Sequence, residues 1–186
     1  MRVDMVFNLP VLLTWLRIAF IPLLVFLFYL DRPWAPLAAA TLFGIAGITD
    51  WADGYLARLW QQESRFGAFL DPVADKLIVA VALILLVERE ANIWITSATI
   101  IIIGREIVIS ALREWMAESG SRSKVAVAFI GKLKTTAQII ALIFLLYNQT
   151  LLGMFPLREW GMVALAIATV LTLWSMVQYL RSAFKA

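Results

Sequence analysis

Four aspartates have a spacing that could support catalysis. Asp50 and Asp53 are three residues apart, and Asp71 and Asp75 are four residues apart. In an α-helix, either spacing puts both carboxylates on one face. Two facing helices would gather four carboxylates, whose mutual repulsion requires a positive partner. Oxygen ligands without histidine or cysteine suit Mg²⁺, Mn²⁺ or Ca²⁺, and four of them are enough for a two-metal site of the kind used in phosphoryl transfer.

A second set of charged residues is basic. Arg105 and Arg113 are eight residues apart, so they share a broad face of one helix at about 80°, and Lys132 and Lys134 open a later apolar run. Arg105 lies between runs of isoleucine, where an unpaired guanidinium is costly. Glu106 should point about 100° away from it. We therefore expect an anion from outside the chain, most simply a phosphate group.

The four acids are also compatible with two roles other than catalysis. The acids could form structural ion pairs, or they could line a proton or ion pathway through a membrane. A pathway would need polar groups that continue across the membrane, whereas all four acids are expected near one end of their helices. The basic residues other than Arg105 could simply extend towards the membrane surface. The candidate cations for structural ion pairs are Arg58, Arg65, Lys76 and Arg105.

The composition indicates that these residues belong to a membrane protein. The chain has 186 residues, of which 62% are hydrophobic, and its mean hydropathy is +0.86. A soluble domain is usually about 45–50% apolar. The chain has no cysteine and no histidine, which excludes disulfides, thiolate catalysis and a histidine base. Any chemistry must therefore use carboxylates, lysine, arginine, hydroxyl groups or backbone groups.

Six apolar segments are long enough to cross a bilayer, which takes about 20 residues. We expect an all-α integral membrane protein with six transmembrane helices and a single domain over residues 1–186. Lysine and arginine are concentrated at one set of helix ends, which predicts that both termini are cytoplasmic. Pro72 either starts a helix after Asp71 or lies inside it and removes one hydrogen bond. The six segments are residues 11–30, 34–57, 67–87, 92–115, 125–147 and 160–182.

The segment from Asp50 to Asp75 reads DWADGYLAR, then eight residues, then GAFLDPVAD. It resembles the signature of the CDP-alcohol phosphotransferases, D-x₂-D-G-x₂-A-R-x₈-G-x₃-D-x₃-D, at all eight fixed positions. The similarity extends beyond the signature, to the branch of that family that makes phosphatidylglycerophosphate. The further similar segments are Asn8-Leu9-Pro10 with Thr14, Arg17 and Pro22, then Gly104-Arg105-Glu106 through Trp115, and Gly131 to Thr135.

The resemblance implies an enzyme that transfers the phosphatidyl group of CDP-diacylglycerol to sn-glycerol 3-phosphate by direct displacement, releasing CMP. It also implies two divalent cations, Mg²⁺ or Mn²⁺, and a homodimer in the bacterial cytoplasmic (inner) membrane, with the active site facing the cytoplasm. No nucleic-acid partner is expected. Another acceptor, such as serine, inositol phosphate or phosphatidylglycerol, stays open. So does a small ion or proton transporter, which comes from another class of protein.

The resemblance also implies roles for individual residues. Asp75 would be the base and would also contact a metal. The metal ligands would be Asp50, Asp53, Asp71 and Asp75. The residues at the CDP-diacylglycerol site would be Asn8, Thr14, Asp50, Asp53, Gly54, Ala57, Arg58, Gly67 and Asp71. The expected contacts of glycerol 3-phosphate are Arg105, Arg113, Lys132 and Lys134.

Overall fold

The computed structural model describes the backbone of residues 9–59, 65–118, 128–151 and 154–183, and the side chains of 12–50, 67, 69–116, 131, 133–151 and 154–181. These residues form six helices, which confirms the predicted all-α fold. Every helix end lies within three residues of the expected position. The helices are α1 (Leu9–Tyr29), α2 (Ala35–Leu59), α3 (Arg65–Glu90), α4 (Ile93–Glu118), α5 (Ala128–Tyr147) and α6 (Leu157–Ala183).

A short hairpin between α5 and α6 was not predicted. Strand β1 (Thr150–Leu151) pairs antiparallel with β2 (Phe155–Pro156), and Thr150 lies opposite Pro156. Each strand has only two residues, which is too short for an alternating pattern to be recognised in the sequence. The proline is compatible with this position because the ribbon has two edges, where a missing N–H is tolerated.

The helices have the length and composition of a membrane-embedded protein. Among the described residues, three apolar stretches are long enough to cross a membrane: Leu12–Tyr29, Ile93–Met116 and Leu157–Arg181. Shorter apolar stretches cover Ala35–Asp50 and Leu133–Tyr147. Large apolar side chains are exposed along the helices, among them Phe26, Ile48, Trp94 and Val170, and such surfaces suit contact with lipid.

The chain divides into two compact units. The first comprises Met1–Leu85 with Leu146–Asn148, and α1 packs against α2 within it. On α1, Thr14 and Arg17 are buried on the same face as Leu24 and Leu27. On α2, small side chains are buried at helical spacing, which allows α1 to approach closely. The buried small residues of α2 include Ala35, Ala39, Ala40 and Ala46, and the larger Phe43 is buried on the same face.

The second unit comprises Leu86–Leu145 and Gln149–Ala186, and α4 packs against α6 within it. The buried stripe of α4 contains Arg105 between Ile102 and Ile109. The buried stripe of α6 is apolar at first and ends in Thr172 and Ser175. In both units, therefore, a helix face that packs through apolar side chains continues into a buried arginine.

Gly161 marks a close approach of α6 to α5. A Cβ atom at this position would lie 2.9 Å from the Cγ atom of Leu145 and 3.1 Å from the Cβ atom of Phe144. Real Cβ atoms essentially never come as close as 2.9 Å, so a larger residue at this position would require Leu145 or the helix backbone to shift. The absence of a side chain at Gly161 therefore suits the close packing of α5 and α6.

Pro72 lies inside α3, which begins seven residues earlier at Arg65. The alternative that Pro72 starts the helix is therefore excluded. Because proline has no N–H, the carbonyl group of Ala68 loses its partner within the helix. Asp71 and Asp75 are on either side of this interruption.

Candidate active site

Two residues of α1 contact the acidic residues of α2 and α3. Arg17, which is 1% exposed, places Nη1 3.1 Å from Oδ1 of Asp50 and also contacts Oδ1 of Asp75. Thr14 donates a hydrogen bond to Oδ1 of Asp71. Thr14 and Arg17 are three residues apart and share one helix face. We call these five residues, Thr14, Arg17, Asp50, Asp71 and Asp75, the acidic cluster.

Counted over its own five residues, the acidic cluster has more negative than positive charge. Arg17 supplies one positive charge, whereas Asp50, Asp71 and Asp75 can carry three negative charges. The side chains of Asp50 and Asp75 remain 45% and 39% exposed, so a ligand can reach both of them. Their shared contact with one guanidinium nitrogen brings these two carboxylates together from α2 and α3.

Sequence reasoning missed the role of Arg17. The cations considered as partners for the acids were Arg58, Arg65, Lys76 and Arg105, and Arg17 of α1, which contacts Asp50 and Asp75, was not among them. The available signal was the three-residue spacing of Thr14 and Arg17 within an otherwise apolar helix. A structural ion pair and a catalytic site are thus compatible here, because the same carboxylates make the ion pairs and stay accessible.

Carboxylate oxygens fit a hard divalent cation by their chemistry, and the chain has no histidine or cysteine to favour a softer metal. Within the described side chains, however, no three acidic residues form a group that could hold a metal ion. The side chain of Asp53 lies outside the described residues, so the expected set of four is only partly visible. Its backbone continues α2 three residues after Asp50, which gives the predicted spacing on one helix face.

Other residues expected at the nucleotide site are placed only in part. Gly67 is buried on α3, one turn before Asp71. Asn8 lies outside the described residues. Helix α2 carries Gly54, Ala57 and Arg58 on its last turns, and their side chains lie outside the described set.

A second cluster lies in the other unit around Arg105, which is 8% exposed. Its Nη1 donates a hydrogen bond of 2.9 Å to Oε1 of Glu106, and Nζ of Lys134 donates one of 2.6 Å to the same oxygen. Nη2 of Arg105 lies 3.3 Å from Oγ of Ser175. Helices α4, α5 and α6 therefore meet at one buried guanidinium.

The expectation that Glu106 points away from Arg105 was wrong. The Cα–Cβ directions of neighbouring helical residues do differ by about 100°. Arginine and glutamate side chains are long, however, and here they bend towards each other beyond the helix surface. Glu106 is the carboxylate that compensates both Arg105 and Lys134, so Arg105 does not depend on an external anion to be buried.

Tyr179 of α6 joins Arg113 to this group. Its hydroxyl accepts a hydrogen bond of 2.7 Å from Nη2 of Arg113. The guanidinium carbons of Arg105 and Arg113 lie 5.7 and 5.2 Å from the centre of its ring, within the range of cation–π contacts. We call the six residues Arg105, Glu106, Arg113, Lys134, Ser175 and Tyr179 the basic cluster.

The basic cluster has an excess of positive charge. Its contacts join three cations, Arg105, Arg113 and Lys134, to one carboxylate, that of Glu106. In the described part of the chain, the buried Nε of Arg105 has no hydrogen-bond partner. The cluster therefore has both the charge and a spare donor for an anionic group. Lys132 also belongs to α5, but its side chain lies outside the described residues, and it is about 200° around the helix from Lys134.

The comparisons with known proteins agree with the signature between Asp50 and Asp75. The family model of the CDP-alcohol phosphatidyltransferases matches residues 7–174. The chain belongs to this family. Members of the family generally depend on divalent metal ions. Ser175 and Tyr179 follow the last residue that the family model matches.

Several curated relatives of this CDP-alcohol phosphatidyltransferase carry the same name, CDP-diacylglycerol–glycerol-3-phosphate 3-phosphatidyltransferase. The chain is similar to a protein of Salmonella choleraesuis at 54% identity over 179 residues. It is similar to proteins of Escherichia coli (strain K12) and Shigella sonnei at 53% identity. In each case the alignment covers 96% of this chain and 96% of the relative.

Proposed function

We propose that this protein transfers the phosphatidyl group of CDP-diacylglycerol to sn-glycerol 3-phosphate and releases CMP. The observation that carries the proposal is the 53–54% identity, over 96% of the chain, to relatives that bear the name of this activity. The primary hydroxyl of the acceptor forms a bond to the phosphorus linked to diacylglycerol. The bond from that phosphorus to the oxygen shared with CMP breaks, and the product is phosphatidylglycerophosphate.

The acidic residues are proposed to bind the nucleotide end of the donor. Asp50, Asp53, Asp71 and Asp75 would hold two divalent cations, Mg²⁺ or Mn²⁺, which when bound neutralise the pyrophosphate of CDP-diacylglycerol. Asp75 would take the proton of the attacking hydroxyl, a role that its exposed carboxylate permits. Arg17, through its contact with Oδ1 of Asp75, would hold that carboxylate in a fixed orientation.

The remaining nucleotide contacts are proposed by position in the signature. Thr14 donates to Asp71, so its contribution would be to orient that carboxylate next to the donor. The other residues proposed for the CDP-diacylglycerol site are Asn8, Gly54, Ala57, Arg58 and Gly67. The chain has no cysteine, and a single displacement without a covalent enzyme intermediate is the simplest mechanism for these residues.

The basic cluster is proposed to bind the phosphate of the acceptor. A phosphate monoester has close to two negative charges at neutral pH, which matches the excess of three cations over one carboxylate. Arginine can hold two phosphate oxygens at once through its planar fork. Arg105, Arg113 and Lys134 would make these contacts, and Lys132 would contribute charge. Serine lacks such a group, whereas inositol phosphate has one, so the choice of glycerol phosphate rests on the relatives.

The cellular arrangement is also a proposal. All six helices would cross the bacterial inner membrane within one domain of residues 1–186, with both termini and the active site on the cytoplasmic side. The excess of lysine and arginine at one set of helix ends supports this orientation. A homodimer is proposed from the resemblance to the family.

The test is a CMP-release assay on the purified protein in lipid and detergent micelles, with Mg²⁺ and CDP-diacylglycerol. We expect release of CMP and formation of phosphatidylglycerophosphate when sn-glycerol 3-phosphate is added, and little release with serine, inositol phosphate or phosphatidylglycerol. Faster turnover with one of those acceptors would assign the protein to another branch of the family. Absence of CMP release with every acceptor would reopen the ion-transport alternative.

A further inference from the structure

We propose that Tyr179 is a positioning residue for the acceptor, which sets the separation of the Arg105 and Arg113 guanidinium groups so that both can bind one phosphate. The inference rests on the proposed function. The geometry that supports it is the position of one aromatic ring beside two guanidinium groups, at 5.7 and 5.2 Å, with a hydrogen bond from one of them to the ring hydroxyl.

Helix geometry alone does not bring the two guanidinium groups together. Arg105 and Arg113 are eight residues apart on α4, which corresponds to a rise of about 12 Å along the helix axis and a rotation of about 80°. Two positive groups also repel each other, so an additional contact is needed to hold them over a common point. The negative charge over an aromatic ring attracts cations, and the guanidinium carbons of Arg105 and Arg113 lie 5.7 and 5.2 Å from the centre of the Tyr179 ring.

The two contacts of Tyr179 differ. Arg113 is exposed, and its hydrogen bond of 2.7 Å to the tyrosine hydroxyl fixes the direction in which its remaining N–H groups point. Arg105 is buried and is already held by Glu106 and Ser175. The hydroxyl should therefore matter chiefly for Arg113, and the ring for both arginines.

Ser175, one turn before Tyr179 on α6, contacts Arg105 and helps to hold its guanidinium group. Its hydroxyl donates to the carbonyl oxygen of Thr172 at 2.9 Å, which leaves its lone pairs to accept from Nη2 of Arg105 at 3.3 Å. One face of α6 thus fixes the two guanidinium groups at two points.

The experiment compares Tyr179→Phe and Tyr179→Leu with the unaltered protein. KM is measured for each substrate, and inorganic phosphate is used as a competitor of sn-glycerol 3-phosphate. Tyr179→Phe keeps the ring and removes the hydroxyl, so we expect the acceptor KM to rise about three- to tenfold. Tyr179→Leu also removes the ring, and we expect a rise of about 10- to 30-fold. The inhibition constant of phosphate should rise by the same factors, while the KM of CDP-diacylglycerol stays within about twofold.

Tyr147→Phe is the matched control, because it removes a tyrosine hydroxyl at the end of α5 and should change neither KM. A role of Tyr179 in packing alone would lower the amount of active protein or raise both KM values together, and either result would overturn the inference. It is also overturned if acceptor KM and phosphate inhibition stay within about twofold of the unaltered protein. If Tyr179→Leu does not insert, Tyr179→Phe decides, since it preserves the packing of the ring.

Failure of this inference can be told apart from failure of the proposed function. If the unaltered protein does not release CMP with sn-glycerol 3-phosphate, the function is wrong, whatever Tyr179 does. If it does, and Arg105→Lys raises the acceptor KM while both Tyr179 variants leave it unchanged, only the positioning role is wrong.

Discussion

The acidic and the basic cluster follow the same design with opposite charge. In each, an apolar helix face continues into a buried arginine: Arg17 on α1 and Arg105 on α4. In the acidic cluster, one guanidinium compensates part of the charge of three carboxylates. In the basic cluster, one carboxylate compensates part of the charge of three cations. The internal counter-ion lowers the cost of burying each arginine, and the remaining charge agrees with the proposed ligands, a cation in the acidic cluster and a phosphate in the basic cluster.

A third group of charges, around Glu90, differs from both clusters in how far its carboxylate is enclosed. Glu90, whose side chain is 7% exposed, accepts from Arg158 at 2.7 Å and lies 3.3 Å from Arg89. Arg89 also donates to the carbonyl oxygen of Leu145. The Glu90 carboxylate is thus enclosed by two arginines, and the backbone carbonyl of Leu145 accepts a further hydrogen bond from Arg89. Asp50 and Asp75, in contrast, remain more than a third exposed. The exposure of these carboxylates therefore distinguishes the proposed metal site from the enclosed ion pair of Glu90.

The largest effect should come from removing Asp53, one of the proposed metal ligands. We expect Asp53→Asn to reduce CMP release to the background, because a carboxylate oxygen that carries charge is lost while the apolar faces of α2 are unchanged. Turnover is measured with saturating Mg²⁺. Asp31→Asn, in the exposed turn between α1 and α2, is the control and should keep full activity. Substantial Mg²⁺-dependent activity of Asp53→Asn would remove Asp53 from the metal site.

The second largest effect is expected from Asp75→Asn, which distinguishes a role of Asp75 in proton transfer from a role in donor binding. Asp75→Asn should lower kcat by at least about 100-fold, which is the lower range for the loss of a general base. Binding of CDP-diacylglycerol, measured directly on the variant by equilibrium dialysis of a short-chain donor, should change less. If donor binding disappears together with activity, Asp75 acts chiefly as a ligand and another group must take the proton.

A substitution in the basic cluster should instead weaken the binding of the acceptor. Arg105→Lys keeps the charge but loses the planar fork, and we expect sn-glycerol 3-phosphate to bind more weakly by about 1.5–3 kcal/mol, the scale of a hydrogen bond to a charged group. The KM of the donor should stay nearly constant. Arg158→Lys, at the Glu90 ion pair, is the control with the same substitution and should leave both KM values unchanged. A rise in donor KM alone would place Arg105 outside the acceptor site.

The sequence was sufficient for the features that depend on local periodicity or on a fixed motif. Six long apolar runs predicted the helices of the described chain, and the spacing of Asp71 and Asp75 predicted that they share a face of α3. The buried position of Arg105 was expected from the isoleucines around it. Each of these properties follows from residues within a few helical turns of one another.

The missed features depend on which helix faces meet. Arg17 and Asp75 are 58 residues apart, and Arg105 and Ser175 are 70 residues apart. Helical periodicity identifies a polar face but does not identify its partner helix. Ser175 and Tyr179 were overlooked because neither side chain carries a charge. The direction of Glu106 was misjudged because two long side chains can bend towards each other even when their Cα–Cβ bonds point in directions about 100° apart.

The smallest effect, and the sharpest test of the internal counter-ion, comes from Glu106→Gln. Glutamine can still accept a hydrogen bond from Arg105 or Lys134, but it cannot compensate their charge, so the basic cluster should have a larger positive excess. The substitution should have opposite effects on the stability of the folded protein and on its affinity for phosphate. The folded protein should lose stability, since buried cations without a counter-charge are costly. A bound phosphate should gain affinity, because it no longer competes with a carboxylate for the same donors.

The midpoint of thermal unfolding and the inhibition constant of inorganic phosphate should therefore both fall in Glu106→Gln. The tighter binding should amount to about two- to fivefold, given the modest worth of one partly screened charge. Glu114→Gln, on the exposed end of α4, is the matched control and should change neither quantity. If Glu106→Gln weakens phosphate binding instead, Glu106 serves to orient Arg105 and Lys134 rather than to occupy the place of the ligand. The two clusters would then share a charge pattern but use their counter-ions differently.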